Sequence, residues 1–220
     1  GENAMELAMV ACWYIWWERC QVSHDKEIGT PARSSLQIRG IVANWVVEKK
    51  LVPPRHTRWS RPASGCIKLN VDASYHVDSG AGESGAILRD SKGDFVATAM
   101  EYKPNAMDAP TMEAFALLLG LRLAEEMGIF SLSIESDSME IVQAIQNPDD
   151  YWASGAVITN DCRRLMSSFG KATINHCVRD VNECSHTIAR FSFVGQESRV
   201  WLDKPPDFPR PLFVKDMGIN

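Results

Sequence analysis

The sequence has no Cys-x-x-Cys pair, no long apolar run, no internal repeat and no excess of positive charge. Each absence excludes something. The cysteines, Cys12, Cys20, Cys66, Cys162, Cys177 and Cys184, are scattered, and several fall on apolar faces. They read as reduced, buried thiols of an intracellular protein rather than as a disulfide framework. Cys12, Cys20 and His24 have the wrong spacing for zinc and lack a fourth ligand. The apolar stretch from Leu7 to Trp17 is followed at once by Glu18 and Arg19, which makes it too short for a membrane span. It also lacks the basic flank and small-residue cleavage site of a secretion signal. The expectation is an intracellular protein, nuclear or cytoplasmic, with no membrane role. Net charge is −5, and residues 61–194 hold 11 basic against 18 acidic side chains. Such a segment is a poor non-specific nucleic-acid binder, because phosphate contacts need Lys and Arg.

What is present is an ordinary globular composition, 45% apolar and 23% charged, over 220 residues. That suits one large domain or one domain with appendages. Residues 5–22 read as a helix that is apolar nearly all round. Residues 31–50 read as a second, with Leu36, Ile38, Ile41, Val42, Trp45 and Val46 at helical spacing. Trp13, Trp16, Trp17 and Trp45 are expected to pack the pair together. Residues 49–65 form a linker in which Lys49, Lys50, Arg55, Arg58 and Arg61 interleave with His56 and Trp59. A solvated linker is preferred there over an arm that tracks a nucleic-acid strand.

From residue 66 the pattern changes. Strands are expected at 66–75, 85–89 and 94–102, with a glycine-rich turn over 80–85 and a hairpin turn over 90–93, giving an antiparallel meander. A helix over 112–127, capped by Asp108 or Thr111, is followed by a strand over 131–136. A helix capped by Asp137-Ser138, another over 154–169, a strand over 172–178 and a last helix over 183–193 complete the series. Strand–helix alternation after a meander implies parallel strands joined by crossovers. The proline-rich tail from Trp201 is expected to lie extended on the surface.

The chemistry gathers on the first strand. Leu69, Val71 and Ala73 face one way, and Lys68, Asn70, Asp72 and Ser74 the other. A carboxylate in the middle of a central strand is costly unless it is paired or holds a metal. Glu113, near the start of the first long helix, and Asp137, at a strand–helix junction, are the acids a fold could bring to it. Hard divalent cations take such oxygen ligands, and two of them can activate water for in-line phosphoryl transfer. Alone, Glu113 could be a first-turn acid favoured by the helix dipole, and Asp137 a plain N-cap.

Five stretches together carry a resemblance. They are Asn70-Val71-Asp72-Ala73-Ser74, Gly85-Ala86-Ile87-Leu88-Arg89-Asp90, Met112-Glu113-Ala114, Glu135-Ser136-Asp137-Ser138, and Val178-Arg179-x-x-Asn182-x-x-Ser185-His186-x-x-Ala189. This series resembles the plant ribonuclease H-like domain of non-LTR retrotransposon reverse transcriptases and their genomic derivatives. The front helices, with Cys12-Trp13-x-Ile15-Trp16, resemble the segment preceding that domain. The resemblance implies an α/β fold, a mixed five-stranded sheet of order 3-2-1-4-5 flanked by helices. It divides the chain into a helical extension and basic linker (1–58), the ribonuclease H-like domain (59–194) and a tail (195–220). It implies Mg²⁺- or Mn²⁺-dependent endonucleolytic cleavage of RNA in an RNA–DNA hybrid by a two-metal mechanism. Asp72, Glu113 and Asp137 match catalytic, metal-holding acids. Ser74 would touch the nucleic-acid backbone or a 2′-hydroxyl, and Asn182 matches a substrate-site asparagine. His186 stands where active members carry a fourth acid, and imidazole is a poorer Mg²⁺ ligand. Asp180 and Glu183 are the nearby acids that could replace it. The His-containing loop that helps product leave is missing, since Arg179 runs almost directly into Asn182. The alternative expectation is a catalytically degenerate, retroelement-derived binding module. It would engage nucleic acid or a protein partner, such as a pathogen effector met by a domain fused into a plant immune receptor.

Overall fold

The computed structural model describes residues 4–23, 58–147 and 154–217, with residues 30, 31, 34, 35, 37–39, 41 and 42 between them. The chain forms two compact units, residues 1–55 and 56–220. In the first, α1 spans Ala4–Ser23, and the described residues over 31–42 are helical. The Tyr14 hydroxyl bonds to Gln37 and Ser34 Oγ to Glu18. A helix apolar on every face can bury only the stripe that meets a neighbour. Tyr14 is accordingly buried, whereas Trp13 and Trp16 are 52% and 61% exposed. The expected aromatic packing is therefore not made by these two rings. Cys12 is exposed rather than buried. Trp45, His24, the side chains of Trp17 and Cys20, and the linker up to residue 57 lie outside the described residues.

The second unit is built on a six-stranded sheet of order β5-β4-β1-β2-β3-β6. The strands are β1 Ile67–His76, β2 Ala81–Arg89, β3 Phe95–Lys103, β4 Ser131–Ser136, β5 Lys171–His176 and β6 Arg199–Trp201. The helices are α2 Ala109–Glu126, α3 Met139–Gln146, α4 Ala156–Ser168, α5 Glu183–Gly195 and α6 Arg210–Met217. β1, β2 and β3 form the expected meander, and β4 and β5 add in parallel beside β1. The expected order 3-2-1-4-5 is thus present, with β6 added antiparallel to β3.

Alternation along β1 sorts the two faces. Leu69, Val71 and Ala73 join Ala86, Leu88, Met112, Leu117 and Ile134 in the main core under α2, α3 and α4. On the opposite face Ile87 and Met100 meet Cys184 and Ile188 of α5. The tail is not extended. Phe208 stacks on Phe191 with ring centres 3.9 Å apart, and Trp201 and Leu212 pack against the second core. Burial of these apolar side chains, spaced along an otherwise polar tail, folds it onto the sheet. Trp59, expected in a solvated linker, is likewise buried.

The glycine-rich stretch also differs from expectation. The turn lies before Ala81, at Gly80 with φ +67°, and Gly82 and Gly85 are inside β2. Their role is close approach rather than turning. A Cβ at Gly85 would stand 2.5 Å from both Ala189 N and Ser185 O, so α5 lies directly on the strand. Backbone atoms cannot swing aside as a side chain can. Gly85→Ala is therefore expected to cost about 2–4 kcal/mol in urea unfolding, by forcing α5 off the sheet. Gly80→Ala meets no atom within 4 Å and pays only for positive φ, about 1–2 kcal/mol. Equal effects would contradict the close-approach reading.

Candidate active site

Strand register brings the first two acids together. The parallel pairing of β1 with β4 runs to Val71 beside Ser136. Asp72 and Asp137 are the next residues along each chain: Asp72 stays inside β1, paired with Gly85 of β2, and Asp137 follows the end of β4. Asp137 is not the cap of α3. Ser138 takes that position, its hydroxyl accepting from Ile141 N at 3.4 Å. Freed from capping, the Asp137 carboxylate accepts from Asn182 Nδ2 at 2.9 Å.

Glu113 comes from the other layer. Asp108 caps α2, accepting from Thr111 N at 2.8 Å, and the helix begins at Ala109. Glu113 therefore lies beyond the first turn in which it was expected, and the dipole account of it falls away. One of its oxygens, Oε2, is sealed from solvent without a hydrogen-bond partner. Burial first, then repulsion from Asp72, Asp137 and Glu140, push its carboxyl well above the usual range.

Asp72 is 4% exposed. Burial raises its carboxyl from 3.8 to about 6, a hydrogen bond from His186 opposes that, and Asp137 adds to it. His186 occupies the fourth corner in a specific way. Its Nδ1 stands 2.9 Å from Asp72 Oδ2. That bond, against a smaller effect of burial, raises the imidazole above its ordinary value. Asp72, Glu113, Asp137 and His186 are thus one electrostatic neighbourhood drawn from β1, α2, the end of β4 and α5.

The remaining expected residues divide. Ser74 lies two residues along β1 on the face of Asp72 and is half-buried. Asn182 is 1% exposed and its amide is fully engaged. Nδ2 donates to Val71 O at 2.8 Å and to Asp137, while Oδ1 accepts from Ser185 Oγ at 2.7 Å and Asn70 Nδ2 at 3.3 Å. Glu183 pairs instead with Lys215, and Asp180 is exposed. β5 and α5 are joined only by residues 177–182, so the connection is as short as the sequence implies.

Sequence reasoning missed the layer behind the acids. Lys68 pairs with Glu135, and Asn70 Nδ2 also donates to Glu135 at 3.2 Å. The period-2 face shared by Lys68, Asn70 and Asp72 was the available signal; the long-range partners had none.

The donor chemistry fits a hard divalent cation. The acids are carboxylates, two of them hold their protons unusually firmly, and one oxygen has no partner. Among the described residues no group of three or more His, Cys, Asp or Glu side chains is already drawn together as a ligand set. The acids are suited in kind and placement rather than closed into a cage.

Comparison with known proteins agrees with this architecture. The N-terminal RNase H domain of a Mycobacterium tuberculosis protein superposes with a TM-score of 0.55 at 16% identity, over 59% of this chain and 94% of that one. RNase H1 of Halobacterium salinarum gives 0.52 at 19% identity, over 59% and 98%. LC11-RNase H1, solved with an RNA/DNA hybrid, gives 0.54 at 15% identity, over 59% and 98%. At these identities the likeness establishes the fold. No curated protein sequence matches significantly. The reverse transcriptase-like family profile matches residues 70–192, more than half of the chain and the whole span from Asn70 past His186, and the chain belongs to that family.

Proposed function

We propose that the ribonuclease H-like unit is a metal-dependent endonuclease that cleaves RNA in RNA–DNA hybrids, weakened by His186. The observation that carries this reading is the crowding of three carboxylates. Asp72 and Asp137 are adjacent by strand register, and Glu113 presents a buried oxygen with no partner. Burying carboxylates together is costly, and a divalent cation joining them would offset that cost.

Asp72, Glu113 and Asp137 would hold Mg²⁺ or Mn²⁺. When bound, such cations lower the pKa of water and offset charge on the transferred phosphate. The chain's own residues do the rest. Asn182 fixes Asp137 through its amide and ties it to Val71 O, one residue before Asp72. Ser74, on the same face, would meet the RNA backbone or a 2′-hydroxyl. His186 holds Asp72 Oδ2 through Nδ1. A cation held by Asp72 would have to compete with that bond, so His186 would weaken the site.

That same hydrogen bond favours a second reading. If His186 keeps Asp72 engaged permanently, the unit is a non-catalytic module that binds nucleic acid or a protein partner. A retroelement origin in a plant goes with either reading, and use as a bait for a pathogen effector, fused into a plant immune receptor, belongs to this one.

A hybrid-cleavage assay separates the two. Slow Mn²⁺-dependent cleavage is expected, lost by about a hundredfold or more in Asp72→Asn and raised about tenfold in His186→Asp. Cleavage unchanged in Asp72→Asn, or absent in both the wild type and His186→Asp, would support the module instead.

The electrostatics predict an opposite effect on stability. Asp72 has a folded-state pKa of about 6 against an ordinary 3.8. Its contribution is most favourable below about pH 4 and is lost as the pH rises through 6. Metal-free Asp72→Asn is therefore expected to be more stable than the wild type at pH 8, by about 1–3 kcal/mol. The gain should vanish near pH 4 in denaturant titrations. A variant less stable at pH 8 would show that the carboxylate is structural.

A further inference from the structure

The family match ends at residue 192, yet the chain beyond it reaches back to the sheet, at Arg89. Arg89, at the end of β2, is 1% exposed. Among the described residues its ionic partner is Asp216 of α6, whose Oδ2 accepts from Nη1 at 2.6 Å. The guanidinium lies over the Trp59 ring, 3.7 Å from its centre, and Trp59 precedes the matched span. Two segments outside the family match thus clamp one buried cation.

Arg89 passes this on. Its Nη2 donates to Asn70 Oδ1 at 3.1 Å, and Trp59 Nε1 donates to the same oxygen at 2.9 Å. With its oxygen held by two donors, the Asn70 amide is fixed in orientation, and Nδ2 points at Asn182 Oδ1. That in turn commits Asn182 Nδ2 to Asp137 and Val71 O. Each amide has distinct donor and acceptor ends, so the orientation of one sets the next.

We propose that Asp216 is a positioning residue for the acid site, acting through Arg89, Asn70 and Asn182 on Asp137. The α6 segment is then part of the site's framework rather than an appendage. The inference rests on the metal-site reading only for its consequence, not for the relay itself.

The test uses the full chain. Asp216→Asn removes the ionic partner while keeping a neutral acceptor. In the metal-free protein it is expected to move the Asn182 side-chain amide resonances in a ¹⁵N–¹H spectrum, three links from the change. It should also weaken Mn²⁺ binding about threefold to tenfold. Asp216→Glu should restore both. Trp59→Phe keeps a ring over Arg89 and removes only the donor to Asn70. It should move the same Asn182 resonances, and it decides the matter if Asp216→Asn does not fold. Unmoved Asn182 resonances in either folded variant overturn the relay. A wild type that binds no Mn²⁺ overturns the metal reading, and the amide resonances still decide the relay.

Discussion

The parallel pairing of β1 with β4 is the constraint on which the rest depends. It sets Leu69 beside Ile134 on the core face and runs to Val71 beside Ser136. The next step along each strand is an acid. The apolar register that builds the core therefore also forces Asp72 and Asp137 together. A one-residue slip would turn Leu69, Val71 and Ala73 out of the core, so the juxtaposition is as firmly held as the fold itself. Electrostatic cost is built in at the centre of the sheet.

What surrounds the pair is an answer to that cost. Asn182 donates to Asp137, His186 engages Asp72, and Glu113 is left with an unpartnered buried oxygen. The first two are neutral or cationic donors supplied by α5 and the residue that precedes it. They can sit so near because Gly85 lets the backbone of α5 lie on β2. Behind them Arg89 of β2 is a buried positive charge held by the chain's own extensions, stacked on Trp59 and paired with Asp216. The site is thus shaped from both sides of the matched family span.

Much of this was legible in the sequence. Period-2 alternation placed Asp72 in a central strand and oriented Asn70 and Ser74 with it. The change from meander to strand–helix alternation gave antiparallel and then parallel strands, since parallel strands need crossovers, and the family resemblance gave their order. Other parts were not legible, each for a physical reason. Gly82 and Gly85 look like a turn because glycine marks both turns and close packing, and only the opposing helix decides between them. Asp137 and Ser138 are both good caps, and only geometry shows that the serine takes the position. The tail reads as extended because its proline content is local information. Its aromatic side chains Trp201 and Phe208 are half-buried against a core that includes Ile87 and Met100, far back along the chain. Arg89 and Asp216 are separated by 127 residues, and no local pattern announces such a pair.

The central claim is that the three acids are crowded because they receive a divalent cation. The most direct measurement is titration of the metal-free protein with Mn²⁺, following free Mn²⁺ by electron paramagnetic resonance. The account predicts saturable uptake by the wild type at neutral pH and markedly weaker uptake in Glu113→Gln, whose buried oxygen is the one without a partner. A wild type that takes up no Mn²⁺, or a Glu113→Gln variant that binds as tightly, would contradict it.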